Sequence, residues 1–85
     1  MECLAIIDSA NHAMMLSSIL ERKGYVFEVV STPCQIARGG CGYSIKFPYE
    51  YSDMLINEGK LYGVYISEIY RVIPMLANNR YEKIY

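Results

Sequence analysis

The run Cys3-Leu4-Ala5-Ile6-Ile7, closed by Asp8, is the strongest constraint on how this chain folds. Consecutive apolar residues suit a strand buried on both faces rather than an alternating edge strand. Such a strand belongs at the centre of a sheet, so the rest of the chain must flank and cover it. With 85 residues the chain predicts one domain with a modest core, whose stability leans on a partner subunit. Its wealth of Ile, Leu, Val, Met and Tyr supplies that core and argues against disorder.

The segments after it read as alternating elements. Ser9 is the predicted N-cap, with Asp8 and Asn11 as alternatives. Ala13, Leu16, Ile19 and Leu20 recur at helical spacing, Met14 sits at the edge of that stripe, and Gly24 fits the residue after a helix. The spacing predicts a helix over Ala10–Lys23. Tyr25–Ser31 reads as a second strand, ended by Thr32-Pro33. Gln35–Arg38 suits one helical turn, which Gly39-Gly40 stops. Tyr43–Phe47 alternates as a third strand and Pro48 closes it. Ser52–Lys60 reads as a second helix, with Tyr51, Met54 and Leu55 inward and Gly59 near its end. Leu61–Tyr70 reads as a fourth strand. Beyond Pro74, Met75-Leu76-Ala77 suits a turn of helix, and Arg80–Tyr85 an edge strand or a docking arm. No internal repeat of solenoid period is present.

The order β-α-β-β-α-β predicts an α+β, ferredoxin-like sandwich: a four-stranded antiparallel sheet with two helices on one face. Residues 1–70 form this single domain, and residues 71–85 a C-terminal extension. In that topology the third strand runs opposite to the first. The end of strand 1, the start of helix 1 and the start of strand 3 then share one end of the sheet.

That end receives the stretch STPCQIARGGCGYSIKF, Ser31–Phe47, which carries Cys34 and Cys41 among the glycines. Cys41 and Gly42 are expected near Asp8, Ser9 and the first-turn residue His12. Thiolates are stabilised by helix N-terminal amides and by a protonated imidazole. Gly39, Gly40 and Gly42 give room for positive φ and for an amide nest that holds an anion, whereas Asp8 opposes a thiolate. Cys41 is therefore either a reactive thiol or a small residue packed beside the strand. Cys34 is either a resolving thiol or a loop residue without a role. His12 is either a thiolate partner or an exposed first-turn residue. Arg38 and Lys46 either attract an anionic cargo or acidic partner, or are simply solvated. Cys3 reads as core.

Several function classes are disfavoured. The net charge of −1, with scattered Lys and Arg, argues against a nucleic-acid partner. No stretch is long enough to span a bilayer, and the N-terminal run is too short, and lacks the basic start, for a signal peptide. Three cysteines close no disulfide framework, so free thiols in a cytoplasmic protein are expected. No GxxxxGK[ST] or GxGxxG is present, and no cofactor is expected. The spacing of Cys34 and Cys41 is not the short chelating pair of zinc sites, which disfavours a metal set of these two with His12. Tyr62, Tyr65, Tyr70, Tyr81 and Tyr85 suggest a contact surface, homodimeric or otherwise.

The helix opening DSANHAMMLSSILERKG and the loop TPCQIARGGCGYSIKF together resemble a bacterial domain-of-unknown-function family described as putative Se/S carrier protein-like. That family also occurs fused behind sulfur-carrier domains of the TusA type. Its pattern is an alanine in the opening of helix 1, a proline after strand 2 and a Cys-Gly pair opening strand 3. Ala13, Pro33, Cys41 and Gly42 match it. Cys34 stands where many members carry a basic residue. The resemblance implies a carrier, with sulfur or selenium held on Cys41 as a persulfide or selenosulfide and exchanged with protein partners; no base-nucleophile-orienter set is legible in the residues, which disfavours a complete enzyme. The alternative from a different class is a non-catalytic interaction or redox-sensing module, dimeric through its sheet or its Tyr-rich tail.

Overall fold

A computed structural model of the chain describes residues 1–37 and 42–85. Arg38, Gly39, Gly40 and Cys41 lie outside the described residues. Among the described residues the elements are β1 (Glu2–Ile7), α1 (Ala10–Arg22), β2 (Glu28–Ser31), β3 (Tyr43–Pro48), α2 (Ser52–Leu61), β4 (Ile66–Ile73) and β5 (Arg80–Lys83). A 3-10 turn, Tyr49–Tyr51, leads into α2. The strands form one antiparallel sheet in the order β2-β3-β1-β4-β5.

β1 sits in the middle, as its continuous apolar run requires. Its odd residues Cys3, Ala5 and Ile7 face the helices and join Ile45, Phe47 and Ile69 from neighbouring strands. α1 lays Ala13, Leu16 and Leu20 on this layer, and α2 adds Leu55. Burying a side chain such as Leu16 or Phe47 contributes about 1.5–3 kcal/mol over leaving it in water. The even residues of β1 serve the opposite face, where Leu4 and Tyr70 are buried under Ile36. At the far end of α1, Lys23 Nζ reaches Glu58 Oε1 of α2 at 2.6 Å and lies over the Tyr62 ring.

The expected four-stranded sheet is corrected to five strands. Residues 80–83 extend the sheet as an edge strand beside β4, with Tyr70 opposite Lys83 and Ile73 opposite Arg80. Met75-Leu76-Ala77 forms no helical turn; bends join β4 to β5 there. β4 also begins later than expected. α2 runs through Leu61, and Gly63 adopts a left-handed φ of 73° that turns the chain before Ile66. β2 is shorter than Tyr25–Ser31. Tyr25 and Phe27 pack with Tyr51, their ring centroids 5.5 and 5.7 Å from its ring, before pairing starts at Glu28.

Candidate functional site at the end of β1

The antiparallel register sets Tyr43 opposite Ile7. Gly42 and Asp8, the next residue along each strand, therefore share the sheet end at which α1 begins. Ser9 is the N-cap, with extended backbone (φ −119°, ψ 131°), and its Oγ accepts from the His12 amide at 3.4 Å. The first turn holds no acidic residue, so the helix dipole there is not neutralised from within α1. His12 is exposed, and its backbone amide serves the cap.

The connection from β2 to β3 is closed at its base. The Thr32 amide donates to the Gly42 carbonyl at 2.9 Å, carrying the ladder one step past the Ser31–Tyr43 pair. Thr32 Oγ1 and Ser44 Oγ are 2.7 Å apart in a buried contact. Just beyond, Pro33 to Ala37 make a tight turn: the amides of Ile36 and Ala37 both donate to the Pro33 carbonyl, at 3.1 and 2.9 Å. In place of the helical turn expected over Gln35–Arg38, a hydrogen-bonded turn starts two residues earlier, at Pro33, and Arg38 lies outside the described residues. The turn leaves Cys34 exposed as a free thiol and drives Ile36 into the cluster of Leu4 and Tyr70.

The glycines seen with left-handed φ among the described residues, Gly24 and Gly63, lie elsewhere, after α1 and after α2. A Cβ at Gly42 would meet Thr32 Oγ1 at 3.5 Å, an ordinary contact. Gly42 stands just before β3, with its carbonyl held by the Thr32 amide. Arg38, Gly39, Gly40 and Cys41, which the sequence also placed in this site, lie outside the described residues. Lys46 does not face this end. It lies further along β3, with Glu2 and Glu28 at 3.6 and 3.8 Å.

Cys3 is fully buried beneath α1. Burial pushes its thiol pKa up, with partial relief from the N-terminal ammonium and Arg71. It stays a neutral core thiol, as the sequence implied.

Three residues of this end were not read from the sequence. Ile36, Ser67 and Glu68, with Ile6 and Asp8, line a cavity of about 320 Å³ on the face away from the helices. The β1–β4 register shifts between Ile6 and Ile7, so Ser67 bulges and donates its hydroxyl to the Ile6 carbonyl at 3.3 Å. Bulges of this kind re-aim side chains next to sites. Glu68 accepts from the Tyr70 hydroxyl at 3.0 Å and pairs with Lys83 at 3.1 Å. Ile36 had a legible signal, a lone branched apolar residue in a polar loop. A bulge has no such signal.

The arrangement is a capped helix start, a closed loop base and an exposed thiol at one end of an α+β sheet. The chain belongs to the putative Se/S carrier protein-like family, whose sequence profile matches residues 2–71, from β1 into β4. No curated protein and no solved structure matches the chain.

Proposed function

We propose that this protein is a carrier of sulfur or selenium, with Cys41 as the accepting thiol, and not a complete enzyme. The observation that carries the reading is the family match across residues 2–71, which includes the Pro33 to Gly42 segment. The register that brings Gly42, chain neighbour of Cys41, to the end of Asp8 and Ser9 supports it. The β-α-β-β-α-β order and the β2-β3-β1-β4 arrangement favour a ferredoxin-like class extended by β5. The odd cysteine number favours a reducing compartment, the cytoplasm.

In the proposed reaction the Cys41 thiolate attacks the terminal sulfur of a donor persulfide. A new S–S bond forms on Cys41, and the donor leaves as its thiolate. An acceptor thiolate then takes the outer sulfur in the same way and releases Cys41 as a thiolate. Where Cys34 resolves the persulfide instead, its thiolate attacks Cys41 Sγ. A Cys34–Cys41 disulfide forms and hydrosulfide departs, with hydroselenide as the selenium counterpart. The positive end of the α1 dipole, and His12 when protonated, would favour the anionic forms. The test is transfer of radiolabelled outer sulfur from a low-molecular-weight persulfide. Label is expected on wild type and on Cys34→Ser, and not on Cys41→Ser. Equal labelling of all three refutes the assignment.

The exposure of Cys34 as a free thiol favours a second reading, a redox-sensing module. That reading expects a Cys34–Cys41 disulfide under mild oxidant and no retention of outer sulfur on Cys41.

A further inference from the structure

A second cavity, of about 300 Å³, opens between the end of α2 and the start of β4. Ile56, Val64 and Ile66 make its apolar floor, Tyr65 and Tyr85 stand at its sides, and Lys60 is its charged lining residue. The hollow exists because α2 ends tightly: the Val64 amide donates to the Gly59 carbonyl at 2.7 Å, and Gly63 turns the chain away at once. Both side tyrosines present apolar rings to solvent: Tyr65 is 69% exposed and Tyr85 49%. Ile66 is opposite Ile7 in the sheet, so this cavity flanks β1 at the same end as Gly42, from the other side.

We propose that this cavity docks a partner protein through a segment in which one large apolar side chain lies next to carboxylates. Three observations select that occupant. The volume lies at the bottom of the range of roughly 300–1,000 Å³ for small-molecule sites, so it takes one side chain rather than a nucleotide-sized group. The apolar floor ringed by tyrosines has the make-up of an interface centre, where Tyr is enriched and charge depleted. Lys60 supplies positive charge at the edge and has no ion-pair partner among the described residues, so it complements an acidic neighbour and repels a basic one. The site stands on this geometry alone. Its use as the landing point of a sulfur donor or acceptor rests on the carrier reading.

The test is an amide NMR titration of the full chain with acetyl-Glu-Phe-Glu-Glu-amide, which involves no sulfur chemistry and so fails or succeeds independently of the carrier reading. Saturable shifts are expected at Gly63, Val64 and Ile66. They should be lost when Ala replaces Phe in the peptide and weaker when Lys replaces its Glu residues. Lys60→Glu and Tyr65→Ala alter exposed positions and leave folding intact. Lys60→Glu should raise the Kd for the acidic peptide roughly threefold to tenfold, and Tyr65→Ala should also raise it. Four results would overturn the proposal: no saturable shifts, equal binding of the alanine or basic peptide, an unchanged Kd in both variants, or the same shifts on raising protein concentration alone, which would assign the cavity to a second copy.

Discussion

Thr32 Oγ1 and Ser44 Oγ lie 2.7 Å apart in the interior, at the foot of the β2–β3 connection. Each hydroxyl is the other's partner in a place water does not reach: Ser44 is fully buried and Thr32 is 9% exposed. The pair, with the Thr32 amide on the Gly42 carbonyl, sets the width of the loop base. Removing either hydroxyl alone strands the other, at a cost of about 1–3 kcal/mol; removing both together is nearly neutral. Thr32→Val and Ser44→Ala are therefore each expected to lower urea-unfolding stability by that amount, and the double variant by clearly less than their sum. Additive losses would mean that the two hydroxyls are not coupled.

Gly59 inverts an ordinary rule. Alanine in a helix is better than glycine by about 1 kcal/mol. A Cβ at Gly59 would stand 2.7 Å from the Val64 carbonyl oxygen and 3.3 Å from Ile66 Cδ1. The oxygen belongs to backbone held in the turn out of α2, so it cannot move away cheaply. Gly59→Ala is expected to destabilise by about 1–3 kcal/mol, the scale of overpacking. It should also disturb the amides of Val64 and Ile66. A gain in stability would show that the α2–β4 turn is looser than described.

Cys3 gives the protein an alkaline limit. Its thiol pKa is raised above the ordinary 9.0 in the folded state by burial. The folded chain thus holds this proton more tightly than the unfolded chain does. The stabilisation is fully present below the unfolded-state value and is lost as pH rises from there through the folded-state value. Comparison with Cys3→Ala isolates the effect from lysines and tyrosines. Above about pH 9 the wild-type unfolding free energy should fall more steeply than that of the variant, by at most about 1.4 kcal/mol per pH unit. In the native protein at neutral pH, Ellman's reagent should leave Cys3 unmodified and modify the exposed Cys34. Parallel pH profiles would contradict the burial of Cys3.

The parts legible in the sequence are those whose local signal and tertiary role agree. The run from Cys3 to Ile7 is apolar on both sides and is buried on both sides. Ser9 caps where a capping residue precedes a helical stripe, and Gly24, at φ 95°, follows the helix. The misreadings have physical causes. Leu61 and Tyr62 look like strand residues, but α2 does not end until a left-handed glycine lets the chain turn. Tyr25 and Phe27 look like ladder residues, yet packing on Tyr51 claims them first. The tail from Arg80 to Lys83 has weak alternation because its strand is an edge, with Tyr81 the residue that packs on the sheet's second face. At the candidate site, the meeting of Asp8 and Ser9 with the start of β3 followed from topology alone. The bulge at Ser67 depends on pairing with β1 far along the chain, which no local pattern encodes, whereas Ile36, which packs with Leu4 and Tyr70, stood out only as a branched apolar residue in a polar loop.

The most direct test of the carrier account is peptide-level mass spectrometry of the intact, reduced chain after brief exposure to a low-molecular-weight persulfide. The account predicts one added sulfur atom on the peptide containing Cys41, retained in Cys34→Ser and discharged when an acceptor thiol is added. Sulfur found on Cys34 or Cys3 with none on Cys41, or on none of the three, would contradict it.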